Sequence, residues 1–490
     1  MRVVIVGKLR AIEPFPLSPF PFRDGGTKPE KAIKRQISTG NALKRRFLKF
    51  ERTPSPERGG GQGVGFCAGY LLANNNFTHT FNRREKPLRP DALSAIIRLL
   101  TKSEGAHGME RYQAVIVGGG PAGSSLGYLL RKQGISTCII ERSEFPREKL
   151  CGGMLTEKTA ALLEEIYGTR DFPCRNIASD VEIYMETTRV SYASLQSRLY
   201  LVERREFDNE LIERYKAAGG ALREGVRVRD ADTRRRRLTL TDGTEIGYRV
   251  LIGADGANSP TRKLVDPDYR ANAFCAEANS PTPEASNPVR IYFGGMPGGY
   301  GWRFPKGGYD AVGIGGEIVK GFDMKAALIK FAKDAGAPVD PSKIRGAMIS
   351  DGHYVRRPYK GSVLLVGDAA GLIDPVTGEG IYFALRSASY AASAIAALLR
   401  DGVSLADTYG ADIRKIHAIM DSGNRCRRVL YNKLVQPLLL RVRPQNKERH
   451  PVTEWALENI LADYRYTYGR LFLAYPLIRL RQKLERRREK

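Results

Sequence analysis

An α/β fold is predicted by three features of this 490-residue sequence. An apolar run at residues 112–118 meets a glycine turn that opens a helix, and a second apolar strand follows at 136–141. A similar run at 361–367 meets another glycine-rich turn and a long Ala-rich helix over 381–399. Between them lie alternating strand candidates at 181–185, 190–193 and 238–240, one helix at 207–218 and many glycine-bounded turns. Strands buried on both faces read as continuous apolar runs, whereas strands with one wet face alternate. The expected architecture is a Rossmann-like dinucleotide-binding domain with an inserted mixed or antiparallel β-sheet domain and a helical C-terminal region.

In chain order, residues 1–108 are a basic, low-complexity N-terminal extension. They mix Pro-rich pieces, the glycine run 59–61 and basic clusters such as Lys44-Arg45-Arg46, with no sustained periodicity except near residues 93–100. Three readings fit them: a targeting segment, a disordered basic tail, or sequence ahead of a true start at Met109. The third is favoured because Met109-Glu110-Arg111-Tyr112 leads directly into the first strand, while residues 1–6 form a strand-like run and no amphipathic helix. Residues 109–402 are assigned to the dinucleotide-binding domain (109–160, 201–265, 351–402) interleaved with a substrate domain (161–200, 266–350). Residues 403–490 form a helical basic region, with breaks expected near Pro437, Pro444, Pro451 and Pro476.

Composition removes several classes. At 42% hydrophobic and 27% charged residues, the chain is neither globally disordered nor fibrous. No stretch approaches the roughly 18 uninterrupted apolar residues of a spanning helix. The six cysteines (Cys67, Cys138, Cys151, Cys174, Cys275, Cys426) are scattered without metal-ligand spacing. They suggest neither a zinc site nor a disulfide scaffold, and fit a reducing cytoplasm. The net charge of +26 belongs to the two ends: 20 Lys/Arg against 8 Asp/Glu before Met109, 17 against 6 after Gly423, and 42 against 39 between. A nucleic-acid enzyme would carry that charge on its folded body, so no nucleic-acid partner is expected.

Two motifs carry chemistry. Gly118-x-Gly120-Pro121-Ala122-Gly123 follows a strand and opens a helix, and Glu141 ends the next strand. In that context the glycines allow a tight turn, close approach of a pyrophosphate to backbone N–H groups, and helix–strand packing; the acid can bind ribose hydroxyls. The second motif, Gly367-Asp368-Ala369-Ala370-Gly371 with Asp374-Pro375 and Gly378-Glu379-Gly380-Ile381, selects FAD over NAD. Asp368 can accept hydrogen bonds from a ribityl chain, and a helix N-terminus at Gly380-Ile381 would stabilise negative charge on a reduced flavin ring.

On these motifs residues 112–399 resemble the p-hydroxybenzoate hydroxylase-type flavoprotein superfamily. Gly253-Ala254-Asp255-Gly256, leading to Arg262, resembles its middle motif, and Arg204-x-x-Phe207-Asp208 the place where such families put an arginine near the cofactor. Lys149-Leu150-Cys151-Gly152-Gly153 and Tyr300-Gly301-Trp302-Arg303-Phe304-Pro305-Lys306 resemble motifs of the geranylgeranyl reductases. Leu150 departs from the proline of many relatives, and Met154-Leu155-Thr156 from the chlorophyll branch. The resemblance implies an FAD-binding domain and contact of Cys151 and Gly152 with FAD. It also implies a substrate cavity along Tyr300, Trp302 and Phe304, where Cys151, Tyr300 and Trp302 are the catalytic candidates. It further implies reduction of C=C bonds in polyprenyl groups by hydride from flavin N5. No second nucleotide domain is present, so NADPH would bind transiently; ferredoxin is the other electron donor considered. Glu379 is a further polar candidate, and a structural or exposed role is expected for the histidines, of which His353 lies nearest a motif.

Three alternatives share the motifs: an aromatic hydroxylase, a flavin halogenase, and a flavin-binding adaptor without turnover. Halogenases carry Trp-x-Trp-x-Ile-Pro and a lysine soon after the first glycine motif, and this chain has neither. At the C-terminal end, residues 425–443 mix basic residues with Leu and Val at near-helical spacing, and residues 477–490 end in Arg486-Arg487-Arg488. Two readings stand: peripheral attachment to an anionic inner membrane face, where prenyl lipids reside, or a helix packed on the enzyme with a solvated tail.

Overall fold

The computed structural model describes residues 109–282, 288–350, 352–431, 451–462 and 468–469, together with 4–5, 48–51 and 67–70. The chain divides into two compact units, Met1–Gly108 and Met109–Lys490. In the first, the described residues form three short antiparallel strands, Val4–Ile5, Leu48–Glu51 and Cys67–Tyr70. The targeting, tail and late-start readings otherwise concern residues outside the described ones.

The second unit is built on two eight-stranded sheets. The first runs Val228–Asp232, Arg237–Leu240, Glu245–Gly253, Glu110–Val117, Thr137–Ile140, Ala221–Arg223. Val363–Leu365 also lies parallel to Glu245–Gly253, and Tyr359–Lys360, the eighth strand, pairs antiparallel with Val363–Leu365. Glu110–Val117 has parallel neighbours on both sides, Ile116 standing opposite Ile252 and Ile139. Its residues Ala114, Val115 and Ile116 are fully buried, which is why the sequence reads as an unbroken apolar run. The helices Pro121–Lys132 and Ile381–Asp401 pack on one another and share a core cluster with Ile116 and Leu364. Ala122, Ala384, Ala388 and Ala391 belong to the same cluster, small residues of the kind that let helix backbones approach. Ile381–Asp401 is, by length and mean hydropathy alone, apolar enough to cross a membrane, although Arg386 and three serines interrupt its apolar run. More than half of its apolar window is buried within the protein, as in the core helix of a globular fold.

The second sheet runs Arg345–Ile349, Ala273–Pro281, Tyr309–Glu317, Tyr300–Pro305, Val289–Phe293, Asn176–Met185, Thr188–Leu201, Met154–Leu155. All its pairs are antiparallel except Val289–Phe293 with Asn176–Met185. The strand expected at 190–193 extends over Thr188–Leu201, and the helix expected at 207–218 is Arg204–Ala217. That helix begins earlier because Arg204 in its first turn pairs with Asp208 one turn on.

Two C-terminal helices are described, Tyr409–Leu430 and Pro451–Leu461. Pro451 opens a helix and does not break one, as its missing N–H permits at a first helical position. Pro451–Leu461 packs on Thr188–Leu201, where Glu454 accepts from Ser194 N (3.0 Å) and Glu458 from Ser197 N (3.1 Å). The expected breaks at Pro437, Pro444 and Pro476 lie outside the described residues, as does most of the basic stretch beyond Tyr431.

Candidate active site

The parallel strands Glu110–Val117, Thr137–Ile140, Glu245–Gly253 and Val363–Leu365 all end at the same edge of the first sheet, and a cavity of about 700 Å³ opens there. Carboxyl ends of parallel strands are where open α/β sheets bind ligands, and the volume falls in the usual range for cofactor sites. Of the residues singled out in the sequence, Gly118, Gly120, Pro121, Ala122, Glu141, Cys151, Gly152, Arg204, Asp255, Tyr300, Trp302, Asp368, Gly380 and Ile381 line it. Gly123 and Gly367 do not; they act one layer behind.

The first glycine turn is built by close approach. Gly118 has φ +102°, and a Cβ there would lie 2.4 Å from the Ala254 carbonyl oxygen. A Cβ on Gly123 would lie 1.9 Å from the Gly118 carbonyl oxygen. Gly118 N–H bonds to Ile140 O, and Gly119 N–H to the Glu141 carboxylate at 2.9 Å. The helix Pro121–Lys132 thus starts with its N–H groups toward the cavity and no side-chain cap.

Over this turn sits Arg147, which the sequence reading missed. Its guanidinium would lie 3.5 Å from a Cβ on Gly120. One nitrogen stands 3.2 Å from the fully buried Asp208 carboxylate, while its buried Nε, 3.5 Å from Glu141, has no hydrogen-bond partner. Asp208 also receives Arg204 through two bonds of 2.8 and 2.9 Å. Burial opposes the Arg204 charge, but the Asp208 carboxylate outweighs it, and the pKa lies above the ordinary arginine value. Two guanidiniums, Arg147 and Arg204, thus face two carboxylates, Asp208 and Glu141, so the cluster is balanced in charge and presents the Arg147 guanidinium beside the turn. A missed signal was available: Phe145-Pro146-Arg147 places a cation a few residues beyond Glu141.

The second glycine turn lies beside the first: a Cβ on Gly367 would stand 3.2 Å from the Ala122 Cβ. Gly371 (φ +77°) has no room for a Cβ, which would stand 2.5 Å from His353 O. Gly380 precedes the helix Ile381–Asp401, and a Cβ there would lie 3.3 Å from the Asp368 carboxylate. The turn is braced from three sides. Arg262 donates to the Ala369 and Asp368 carbonyls, at 2.6 and 2.9 Å. Tyr468 donates to Asp374. Lys158 pairs with Glu379 at 2.7 Å, while Thr156 and Thr159 donate to the other oxygen of that carboxylate. Glu379 is therefore bound up in this brace. Asp255 is similar: it lines the cavity, but its carboxylate accepts from Ser259 and from Thr261 N and Oγ1. His353 is exposed and stacked on Tyr269; His417 is buried against Tyr354, and burial pushes its pKa down to about 4.

The Cys-Gly-Gly segment lies on the second sheet. Tyr300, Trp302 and Phe304 alternate to one face of their strand, with neighbouring ring centroids 6.0 and 6.2 Å apart. A Cβ on Gly152 would stand 2.8 Å from the Phe304 ring and 3.1 Å from Trp302 Nε1. Lys306, next on the same face, donates to Val202 O (2.6 Å) and Gly153 O (3.2 Å). Tyr300 donates to Thr377 O at 2.5 Å, tying the aromatic strand to the second glycine turn. The Cys151 thiol interacts with Arg204, and Cys275, its own thiol pushed up to about 12 by burial, lines the same cavity.

These features fit FAD: a phosphate cradle at Gly118–Gly123 without room for side chains, an arginine Nε beside it, and a second helix N-terminus at the same cavity. The sequence matches the FAD binding domain family over residues 111–288 and 318–420, more than half of the chain. Menaquinone reductase of Mycobacterium tuberculosis (strain H37Rv) is 30% identical over 332 residues, covering 60% of this chain and 80% of that protein. Digeranylgeranylglycerophospholipid reductase of Methanocaldococcus jannaschii is 31% identical over 302 residues, covering 56% and 74%. Among solved structures, a geranylgeranyl bacteriochlorophyll reductase-like protein of Thermoplasma acidophilum has TM-score 0.59 and 23% identity over 72% of this chain and 100% of its own, a likeness of fold. The chain belongs to the FAD binding domain family. Within it, the chain is an FAD-dependent oxidoreductase of the geranylgeranyl reductase type.

Proposed function

We propose that this oxidoreductase saturates C=C bonds of geranylgeranyl or other polyprenyl groups in lipids, with NADPH or ferredoxin as electron donor. The observation that carries the reading is the wall of Tyr300, Trp302 and Phe304, which joins the second glycine turn directly through the Tyr300 hydroxyl. Bound FAD, once reduced, supplies a hydride from N5. An isolated alkene has no carbonyl to polarise, so the protein contributes by holding the chain close and excluding water. Trp302 and Phe304 offer apolar area to a branched hydrocarbon, and Gly152, lacking a side chain, lets the Cys151–Gly153 backbone close over it. Arg147 and Arg204 neutralise cofactor phosphates, and Asp208 keeps both in place.

The test is anaerobic incubation of the chemically reduced protein with geranylgeranyl lipids, followed by mass spectrometry. A gain of two hydrogens for each bond reduced is expected. Unchanged lipids, together with oxygen insertion into an aromatic compound in air with NADPH, would replace this reading by the hydroxylase one. We further propose that the protein is cytoplasmic and attaches to the inner membrane face through its basic C-terminal residues. Flotation with anionic liposomes, lost on truncation after Val442, is the expected result; absence of vesicle binding by the full chain contradicts it.

A further inference from the structure

We propose that Glu277 is the positioning residue of the substrate wall: it holds the Trp302 ring across a gap left by Gly313, and so sets the width of the cavity beside Cys151–Gly153. The inference rests on the prenyl reading for its consequence in turnover, but not for its geometry. Glu277, Gly313 and Trp302 form one row across three adjacent strands, since Gly313 is the ladder partner of both Glu277 and Trp302. Directly opposed residues share a face of the sheet, so the three positions project the same way. A Cβ on Gly313 would lie 2.2 Å from Trp302 Cζ2. The indole therefore occupies the space above the central strand and reaches Ala273–Pro281, where Nε1 donates to Glu277 at 2.9 Å. Without that acceptor the indole would lose the bond that fixes its Nε1 edge, where Gly152 offers no side chain to hold it.

A carboxyl group in this place is unusual enough to need a reason. Glu277 is buried, and no bound group or ion pair is needed to explain the strand; an apolar residue would pack there at lower desolvation cost. Burial pushes its pKa up to about 7, against the hydrogen bond from Trp302 and the nearby Lys306 ammonium; Glu203 acts in the same direction as burial. Lys306 is itself shifted down by burial. From the remaining packed elements, the groups facing this row are Cys275 on the same strand and Arg345, the ladder partner on the outer strand, which is exposed to solvent. Burial thus brings the ionisation of Glu277 toward neutrality, against the ring that lines the cavity. Ionised, it is the stronger acceptor of the indole N–H; protonated, it still accepts through its carbonyl oxygen, but more weakly.

The chain holds two tryptophans, Trp302 and Trp455, so the ring can be watched directly. The experiment uses the full-length flavoprotein labelled with fluorotryptophan, with W455F assigning the fluorine signals. The Trp302 signal is expected to titrate with a midpoint near 7 in the wild type, to lose that titration in E277Q, and to shift and broaden in E277A. In steady-state assays E277A is expected to raise KM for a prenyl substrate about tenfold with a smaller change in kcat, E277Q recovering most of the loss. Added to W302F, which has no N–H to hold, E277Q should change nothing further. A Trp302 signal indifferent to E277Q and E277A, in protein that retains flavin, overturns the proposal. If the signal responds and no prenyl chain is reduced, the positioning role stands and the prenyl reading falls.

Discussion

The two sides of the cavity are made by different means. The cofactor side is made of backbone: Gly118, Gly123, Gly371 and Gly380 leave room where a side chain would collide, and two helices end there with uncapped N–H groups. The substrate side is made of side chains laid across strands, with Glu277, Gly313 and Trp302 drawn from three different hairpin arms. A backbone cradle tolerates almost no substitution and fixes one ligand, whereas a wall of rings held by a single bond can shift, and with it the choice of hydrocarbon. Damage to the first should abolish the holoprotein; damage to the second should alter selectivity in a protein that is still yellow.

The largest effect is expected at Asp208, which serves the cofactor side from beneath. Asp208→Ala leaves Arg204 buried without its carboxylate, and loss of one partner of a buried pair costs about 3–5 kcal/mol. Urea unfolding should show it, along with loss of flavin, because Arg147 loses the same anchor. Next comes Gly118→Ala, which combines a positive φ with a 2.4 Å approach to Ala254 O. Strain of this kind costs about 1–3 kcal/mol, and the purified variant is expected to lack flavin absorbance while its far-ultraviolet circular dichroism stays native.

Gly313→Ala is the matching change on the substrate wall. Overpacking there costs about 1–3 kcal/mol, yet FAD content should stay near one per chain while KM for the prenyl substrate rises. If Gly313→Ala strips the flavin as completely as Gly118→Ala, the division between the two sides is wrong. A smaller effect is expected from pH. Glu277 binds its proton more tightly in the folded chain than in the unfolded one, so its contribution to stability is full below its unfolded pKa near 4.5 and is lost as pH rises through about 7. Comparing the wild type with E277Q across that window should show a slope in the first that is missing from the second. The smallest, a control on neither side, is Asp323→Ala. This residue caps the helix Met324–Asp334 by accepting from Ala326 N, and its loss should cost about 1 kcal/mol with flavin and KM unchanged.

This division also explains what could be read from the sequence. The glycine turns were legible because their constraints are local: a residue that must lack a Cβ is glycine wherever the turn occurs, and Gly118, Gly120 and Gly123 keep fixed spacing. Asp368, Glu141 and the start of the helix at Ile381 came with them. Arg147 was less visible because its meaning depends on Asp208, some sixty residues further on, reached only through the fold. Glu277 was not read as a site residue, since nothing near it in sequence distinguishes a buried acid from an exposed one, and Lys306 was legible only as the end of the aromatic motif. Asp255 shows the reverse case, a motif residue at the cavity whose carboxylate turns inward to Ser259 and Thr261. The long Ala-rich helix was legible too, and its apolar length serves packing on Pro121–Lys132.

The most direct measurement is a crystal structure of the reduced holoprotein with a prenyl lipid bound. The account requires the FAD diphosphate on the Gly118–Gly123 turn beneath Arg147, the flavin ring between Gly380 and the Cys151–Gly152 backbone, and a hydrocarbon chain against Trp302. A flavin held by only one of the two turns, or a chain that avoids the Tyr300–Trp302–Phe304 face, would contradict it.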